Sequence, residues 1–453
     1  MNSERLTERV QQTQRRLRKE MLSSVLNEFD GSLMGLEESK RRQKYAKMAG
    51  SPFSFYRGSA YLFYFDVSRE WFPYHSDPER PTWIQGDLHF ENFGAFRSEN
   101  GRMVYDVNDF DEGCLGSYLY DLLRMSVSVA LVCRTLQTDP EGQKEAVASY
   151  LTAYCKQIRR FVNRKDDPRT LVFDKEGTKG AIRRLLKKTE KRLASHFLEG
   201  VTTLTRDTRK FTKSEEILPP TPEEREALEA AWPHYLQTLQ AKGIQPEGYY
   251  RIKDLAVKHG SGTASIGLDR FYVLIEGEGG EGALDDIVLE VKEVRTPVPA
   301  YFVKHNEAFW KNMGHQGKRV ILTQQAMHHE ADPYLGYLTL DGRDFYVRER
   351  SPYKKRLKTD RLEGADELHE VLQTMGRITA KLHARADADM DHGLMGYHSE
   401  DEIDRAIGGD KAAFCDYIAQ WAIAYAYQVE EDYVLFLEWL QERGGAGAQG
   451  TES

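Results

Sequence analysis

The chain has 453 residues, 40% hydrophobic and 30% charged, with a formal net charge of -8, which suits two or three domain-sized units around a large core. That acidic balance supplies no global basic field to hold nucleic acid or an anionic membrane, so neither is expected as a partner. The cysteines Cys114, Cys133, Cys155 and Cys415 form no C-x-x-C pair and read as reduced thiols, and the polar opening and lack of a long apolar run predict a cytoplasmic protein. Oligomeric state leaves no mark in the sequence.

Residues 4–48 read as charged helix, with Leu17, Met21, Val25 and Leu26 at helical spacing, closed by Ser51-Pro52. The aromatic run 53–66 fits either strand or helix. Between 82 and 112 short apolar runs alternate with Gly, Asp and Asn. They predict a strand at Trp83-Ile84, a loop over 85–96, a hairpin turn at Asn100-Gly101 and a strand over 103–107. Residues 117–235 are mostly helical, and Thr221-Pro222-Glu223-Glu224 carries a helix start: a Thr cap, Pro at the first position and acids in the first turn. Strands follow at 271–276 and 287–294, then a helix over 300–330, then strands at 334–340 and 343–348 joined by Asp341-Gly342. Residues 365–385 and 410–443 are strong helices, with a flexible tail expected from Gly444. The class is therefore α+β, with a β-rich lobe (246–352) inserted between a helical lobe (1–245) and the helices that complete it (353–453).

The most informative stretch is Gln85-Gly86-Asp87-Leu88-His89-Phe90-Glu91-Asn92, followed by Asp109-Phe110-Asp111. Phosphoryl transfer needs metal ions to neutralise phosphate charge, a carboxylate to orient the attacking hydroxyl, and rigid positioning. An Asp after a strand, an Asn five residues on and a second Asp across a hairpin supply those parts. Asp87 is the expected catalytic base. Asn92 and Asp109 offer hard oxygen ligands of the kind Mg²⁺ prefers.

GDLHFEN resembles the catalytic-loop motif of aminoglycoside phosphotransferases and choline-kinase-like enzymes, usually HGDxHxxN, and DFDEGCLGSYLYDLL resembles their metal-Asp segment. The resemblance implies that Asp87 is the base, that Asn92 and Asp109 are metal ligands and that Asp121 is structural. This sequence has Gln85 where that family usually has His. Over a longer span, SPFSFYRG, GDLHFENFGAF, NDFDE, VLEVKE, DPYLGY and DGRDFYVRE resemble an uncharacterised bacterial family of unknown function grouped with protein-kinase-like folds.

A kinase also needs a glycine-rich turn over the phosphates and a strand Lys, both ahead of the catalytic loop. Here they come after it. Residues 259–270 read HGSGTASIGLDR, where Gly260, Gly262, Ser265 and Gly267 are the expected phosphate cradle. Lys292 sits late in the strand IVLEVKEV. Glu307 is its expected helix partner by spacing, with Gln324 as a second candidate, and the segment 348–353, opening with Arg348 and Glu349, is the expected hinge for adenine. The helix 368–385, ending LHARAD, resembles the one that normally precedes the catalytic loop. Written on a circle this is the kinase order, so a circularly permuted, two-lobed kinase-like fold using ATP and Mg²⁺ is expected. Two other readings stay open: a nucleotide-binding pseudokinase or AMP-transferring enzyme of the same fold, and a hydrolase holding a transition metal on Asp87, His89 and Asp109.

Overall fold

The charged N-terminal stretch forms α1 (Ser3–Leu26), which widens into a π-helix over Asn27–Leu33 before α2 (Glu38–Met48). The computed structural model describes residues 3–98, 100–191, 194–205, 208–239, 248–260, 262, 266–277, 285–328, 332–351, 353–388 and 395–449. The ambiguous aromatic run is helical, as α3 (Pro52–Gly58) and α4 (Ala60–Val67). Ser51 caps α3 by accepting the Ser54 N–H at 3.0 Å, with Pro52 in the first position. Phe55, Tyr56, Tyr61, Leu62, Phe63 and Tyr64 are all buried, so these helices sit largely inside the core, with Arg57 and Asp66 turned to ion pairs with Glu91 and Arg18.

Four short strands follow: β1 (Thr82–Ile84), β2 (Phe93–Arg97), β3 (Met103–Val107) and β4 (Cys114–Gly116). β1 pairs with β4, and β2 with β3 through the expected Asn100-Gly101 turn, where Gly101 has φ 82°. β2 shortens the loop expected over 85–96 because Phe93 and Ala95 are buried.

The helical body begins with α5 (Tyr118–Thr135), α6 (Pro140–Val162), α7 (Gly180–Glu190) and α8 (Ala194–Val201). Three strands then interrupt a stretch expected to be helical: β5 (Thr202–Thr205), β6 (Thr208–Phe211) and β7 (Ile217–Leu218). α9 (Pro222–Thr238) starts as predicted. Thr221 Oγ1 accepts the Glu224 N–H at 3.2 Å and Glu224 accepts the Thr221 N–H at 2.7 Å.

The β-rich part holds β8 (Ile252–Lys258), β9 (Arg270–Ile275), β10 (Ile287–Glu293), α10 (Glu307–Met313), α11 (Gln316–Met327), β11 (Gly336–Leu340), β12 (Arg343–Glu349) and β13 (Lys355–Arg356). The single helix expected over 300–330 is split at Gly314, whose left-handed φ of 61° ends α10. The chain closes with α12 (Ala365–Arg385), α13 (Ser399–Ile407) and α14 (Lys411–Gln449), the last running past Gly444, where a flexible tail was expected. Once nucleated, a helix this long extends by one hydrogen bond per residue, which carries it into a weak sequence.

The main sheet has six strands in the order β11-β12-β10-β9-β8-β7, each antiparallel to its neighbours. Period-two alternation sorts its side chains. Phe271, Val273, Leu289, Val291, Phe345 and Val347 face Leu228, Trp232 and Tyr235 of α9. On the other face Tyr272, Leu274 and Val288 pack against Leu198 of α8. β7 and α9, which precede residue 246, thus belong to this unit. The larger core lies among α3–α6, α12 and α14. α12 presses closely on α6: a Cβ at Gly376 would lie 2.3 Å from the Tyr150 carbonyl oxygen. β13 pairs with β2, tying the chain just after the main sheet to the β2–β3 hairpin. Among the described residues, no helix is long and apolar enough to cross a membrane.

Candidate functional site

The loop after β1 is held by its backbone. Gly86 has φ 86°, and a Cβ there would lie 2.2 Å from the Glu112 carbonyl oxygen, so only glycine fits. Asp121, buried in the first turn of α5, accepts the Gln85 N–H at 2.7 Å and the Gly86 N–H at 2.9 Å. His383 of α12 stands 3.1 Å from the same carboxylate and 2.9 Å from the Tyr154 hydroxyl. Asp121 is therefore structural, as the resemblance implies. Gln85 ties the loop together: its Oε1 accepts the Asp87 N–H at 2.9 Å and its Nε2 donates to the Asp109 carbonyl at 2.7 Å.

Asp87 is 9% exposed and lines a cleft between the main sheet and the helical body. Arg124 Nε donates to its Oδ1 at 2.6 Å, while the Arg124 guanidinium stacks 4.1 Å from the centre of the Tyr56 ring. Burial pushes the Asp87 carboxyl up, outweighing the Arg124 charge that favours ionisation. The Asn92 Oδ1 accepts the His89 N–H at 2.8 Å, and its carbonyl accepts the Asn108 N–H at 3.0 Å, which locks the loop to the hairpin. His89 Nε2 faces Arg57 Nε at 3.2 Å, so an arginine occupies one of the two ring nitrogens that a metal could use.

The same cleft takes in Asn92, Asp109, Asp111, Gly262 and Lys292. Lys292 projects from β10 and pairs with Asp111, whose other oxygen accepts from the Tyr346 hydroxyl at 2.8 Å. Burial alone would raise the Asp111 carboxyl, but Lys292 and Arg348 outweigh it and hold it at about 2. Glu112, in the same loop, accepts the Val298 N–H at 2.5 Å, and burial pushes its carboxyl up to about 7.

Several expected site residues lie elsewhere. Glu307 is exposed at the start of α10 and lines a separate cavity, so it is not the partner of Lys292; Asp111 is. Spacing from the strand misled because α11, not α10, packs beside the loop. Thr323 of α11 would meet a Cβ on Gly113, and Arg319 donates to the Gly113 carbonyl at 2.6 Å. Gly260 and Gly267 have φ of 76° and 87°, a Cβ on them would meet Glu216 and Leu36, and neither lines the cleft. They shape the turn, and Gly262 alone of the three lines the cleft. Ser265 lies outside the described residues.

Arg348 and Glu349 line a second cleft, together with Asn108 and Lys354. Arg348 donates to Glu290 at 2.8 Å, and the Glu349 N–H is taken by Asp332 at 2.6 Å, so that backbone donor is already used. Lys354, which the sequence reading missed, is half-buried and donates to the Asn108 carbonyl at 2.9 Å. Burial, then Arg348, push it down to about 7. Arg124 and Lys354 carry no local motif. Arg124 is marked only as a cation in an otherwise apolar run, and Lys354 stands in the basic run Lys354-Lys355-Arg356, where nothing singles it out.

No curated protein and no solved structure matches the chain. A family model does match, over residues 37–439, and the chain belongs to that family, described as an uncharacterized protein conserved in bacteria (DUF2252).

Proposed function

We propose that the cleft binds ATP with Mg²⁺ and transfers a phosphoryl group to a hydroxyl- or amine-bearing acceptor, in a two-lobed kinase-like arrangement with circularly permuted chain order. One observation carries this reading. Lys292 of the main sheet meets the loop 109–111 in the same cleft as Asp87 and Asn92. Those parts come from stretches of chain roughly 200 residues apart, and no local motif brings them together. The order strand, glycine turn, strand, Lys-bearing strand, then α12 followed on the circle by the Asp87 loop and Asp109, is the order of parts a kinase requires.

The chain's own residues fit the roles. The Asp109 carboxylate is half-buried, lines the cleft and has no hydrogen-bond or ion-pair partner among the described residues. With Asn92 it forms a hard-oxygen donor pair suited to Mg²⁺. Mg²⁺ held there neutralises charge on the phosphates. Arg124 grips one Asp87 oxygen, and the other is left to take the acceptor proton. Lys292 supplies a fixed cation for the phosphates.

Isothermal calorimetry of ATP with and without Mg²⁺, on wild type and Asp109→Ala, tests the reading. Mg²⁺-dependent binding that disappears in the variant is expected. Folded wild type that binds no ATP sinks it. Transfer of label from γ-labelled but not α-labelled ATP then separates phosphoryl from AMP transfer.

A further inference from the structure

Away from the cleft, the end of α12, the start of α13 and the segment after α6 meet around three side chains that the transfer reading does not use. Asp387 lies two residues beyond α12, His398 caps α13 and Glu400 sits in the first turn of α13. Each offers one ligand atom, and these atoms all lie within 4.8 Å of one another. The side chains of Asp387 and Glu400 are 0% and 1% exposed, and that of His398 is 34% exposed.

The hydrogen bonding around them is incomplete on the side they share. Arg164 donates to Glu400 Oε1 at 2.9 Å, but Glu400 Oε2 is buried without a partner. His398 Nδ1 is also buried without one, 3.6 Å from Asp387 Oδ2, which is too long for a hydrogen bond. The Ser399 N–H donates to that same Asp387 oxygen at 2.9 Å and fixes how the carboxylate points. Glu400 Oε2 and His398 Nδ1 are thus polar atoms buried without a partner, which a protein interior resists. A divalent cation among the three ligand atoms gives both of them that partner.

We propose that Asp387, His398 and Glu400 form a binding site for a divalent transition metal of the Zn²⁺ or Mn²⁺ class. The imidazole argues against Mg²⁺ and Ca²⁺, which take oxygen ligands, and the mixed nitrogen–oxygen set suits Zn²⁺. The site clamps the end of α12 to α13. Four residues before Asp387, the same chain carries His383 against Asp121, so the clamp steadies the helix that braces the loop after β1.

Tag-free full-length protein, stripped with chelator and dialysed against Zn²⁺, is expected to retain one equivalent by plasma mass spectrometry and to melt at a higher temperature than the stripped form. His398→Ala should weaken Zn²⁺ binding at least about tenfold in calorimetry. Its metal-free melting temperature should match that of stripped wild type, since the ring is a third exposed. Asp109→Asn should keep the equivalent, which separates this site from the cleft. Wild type that retains neither Zn²⁺ nor Mn²⁺ and whose melting is unmoved by either overturns the assignment. So does His398→Ala binding as tightly as wild type, or loss of the equivalent in Asp109→Asn.

Discussion

Gln85 and Asp109 are joined by a 2.7 Å hydrogen bond from the Gln85 amide nitrogen to the Asp109 carbonyl, while the Gln85 amide oxygen holds the Asp87 N–H. One side chain thus sets the spacing between the expected base and the expected metal ligand. Gln85→Glu keeps the acceptor and removes the donor, leaving the Asp109 carbonyl unpaired in a buried setting. A stability loss of about 1–3 kcal/mol is expected in urea denaturation. A larger loss should appear in Mg²⁺-dependent ATP binding, because the Asp109 loop is then free to shift.

The Lys292–Asp111 pair joins the sheet to the loop after β3. Lys292→Met should cost about 3 kcal/mol by leaving the half-buried Asp111 charge without its closest cation. Adding Asp111→Asn should recover much of that loss, and denaturant midpoints of the four members of the cycle measure the coupling. The folded carboxyl lies below its unfolded value. Its contribution is therefore present above the ordinary carboxylate range and is lost as pH falls toward 2.

Glu112 behaves in the opposite sense. Burial raises its carboxyl to about 7, so the folded protein holds a proton that the unfolded chain has released. Stability contributed by this group is full at acid pH and falls as pH rises from its unfolded value through about 7, by on the order of 3 kcal/mol. Glu112→Gln should flatten that part of the stability profile, measured by melting temperature from pH 4 to 8. An unchanged slope would mean that Glu112 ionises normally.

Gly86→Ala should destabilise by about 2 kcal/mol or more, since it imposes a positive φ on a residue with a Cβ and drives that atom into the Glu112 backbone. Gly342 provides the control. It has φ 72° but nothing within 4 Å of a Cβ, so Gly342→Ala should cost only the conformational part, about 1 kcal/mol. Thermal melts of the two variants separate strain from collision.

The features legible in the sequence are those whose causes are local. The Asn100-Gly101 turn and the Thr221 cap each depend on a few adjacent residues, and the structure has both as read; the loop expected over 85–96 is there as far as residue 92, where β2 takes over. β9, β10, β11 and β12 showed themselves as short β-rich runs, and in β9 and β10 these are continuous because both faces of the sheet are packed, against α9 on one side and α8 on the other. The partner of Lys292 did not, since Asp111 lies 181 residues away and the pairing depends on how sheet and helical body dock. β5 and β6 were missed for a different reason: their residues are largely exposed and polar, so alternation leaves no apolar signal. Gly260 and Gly267 were read as phosphate contacts because a positive φ and a ligand approach both call for glycine.

The main sheet is entered through β7 and left through β12, and both junctions are anchored: β7 pairs within the sheet, and β13 leaves it already paired to β2. A lobe attached at one end of a chain can swing about a single pivot. This one is spliced into the chain at two points, so a displacement of the sheet has to be taken up at both junctions at once. The Lys292–Asp111 pair adds a third tie, from β10 to the loop after β3.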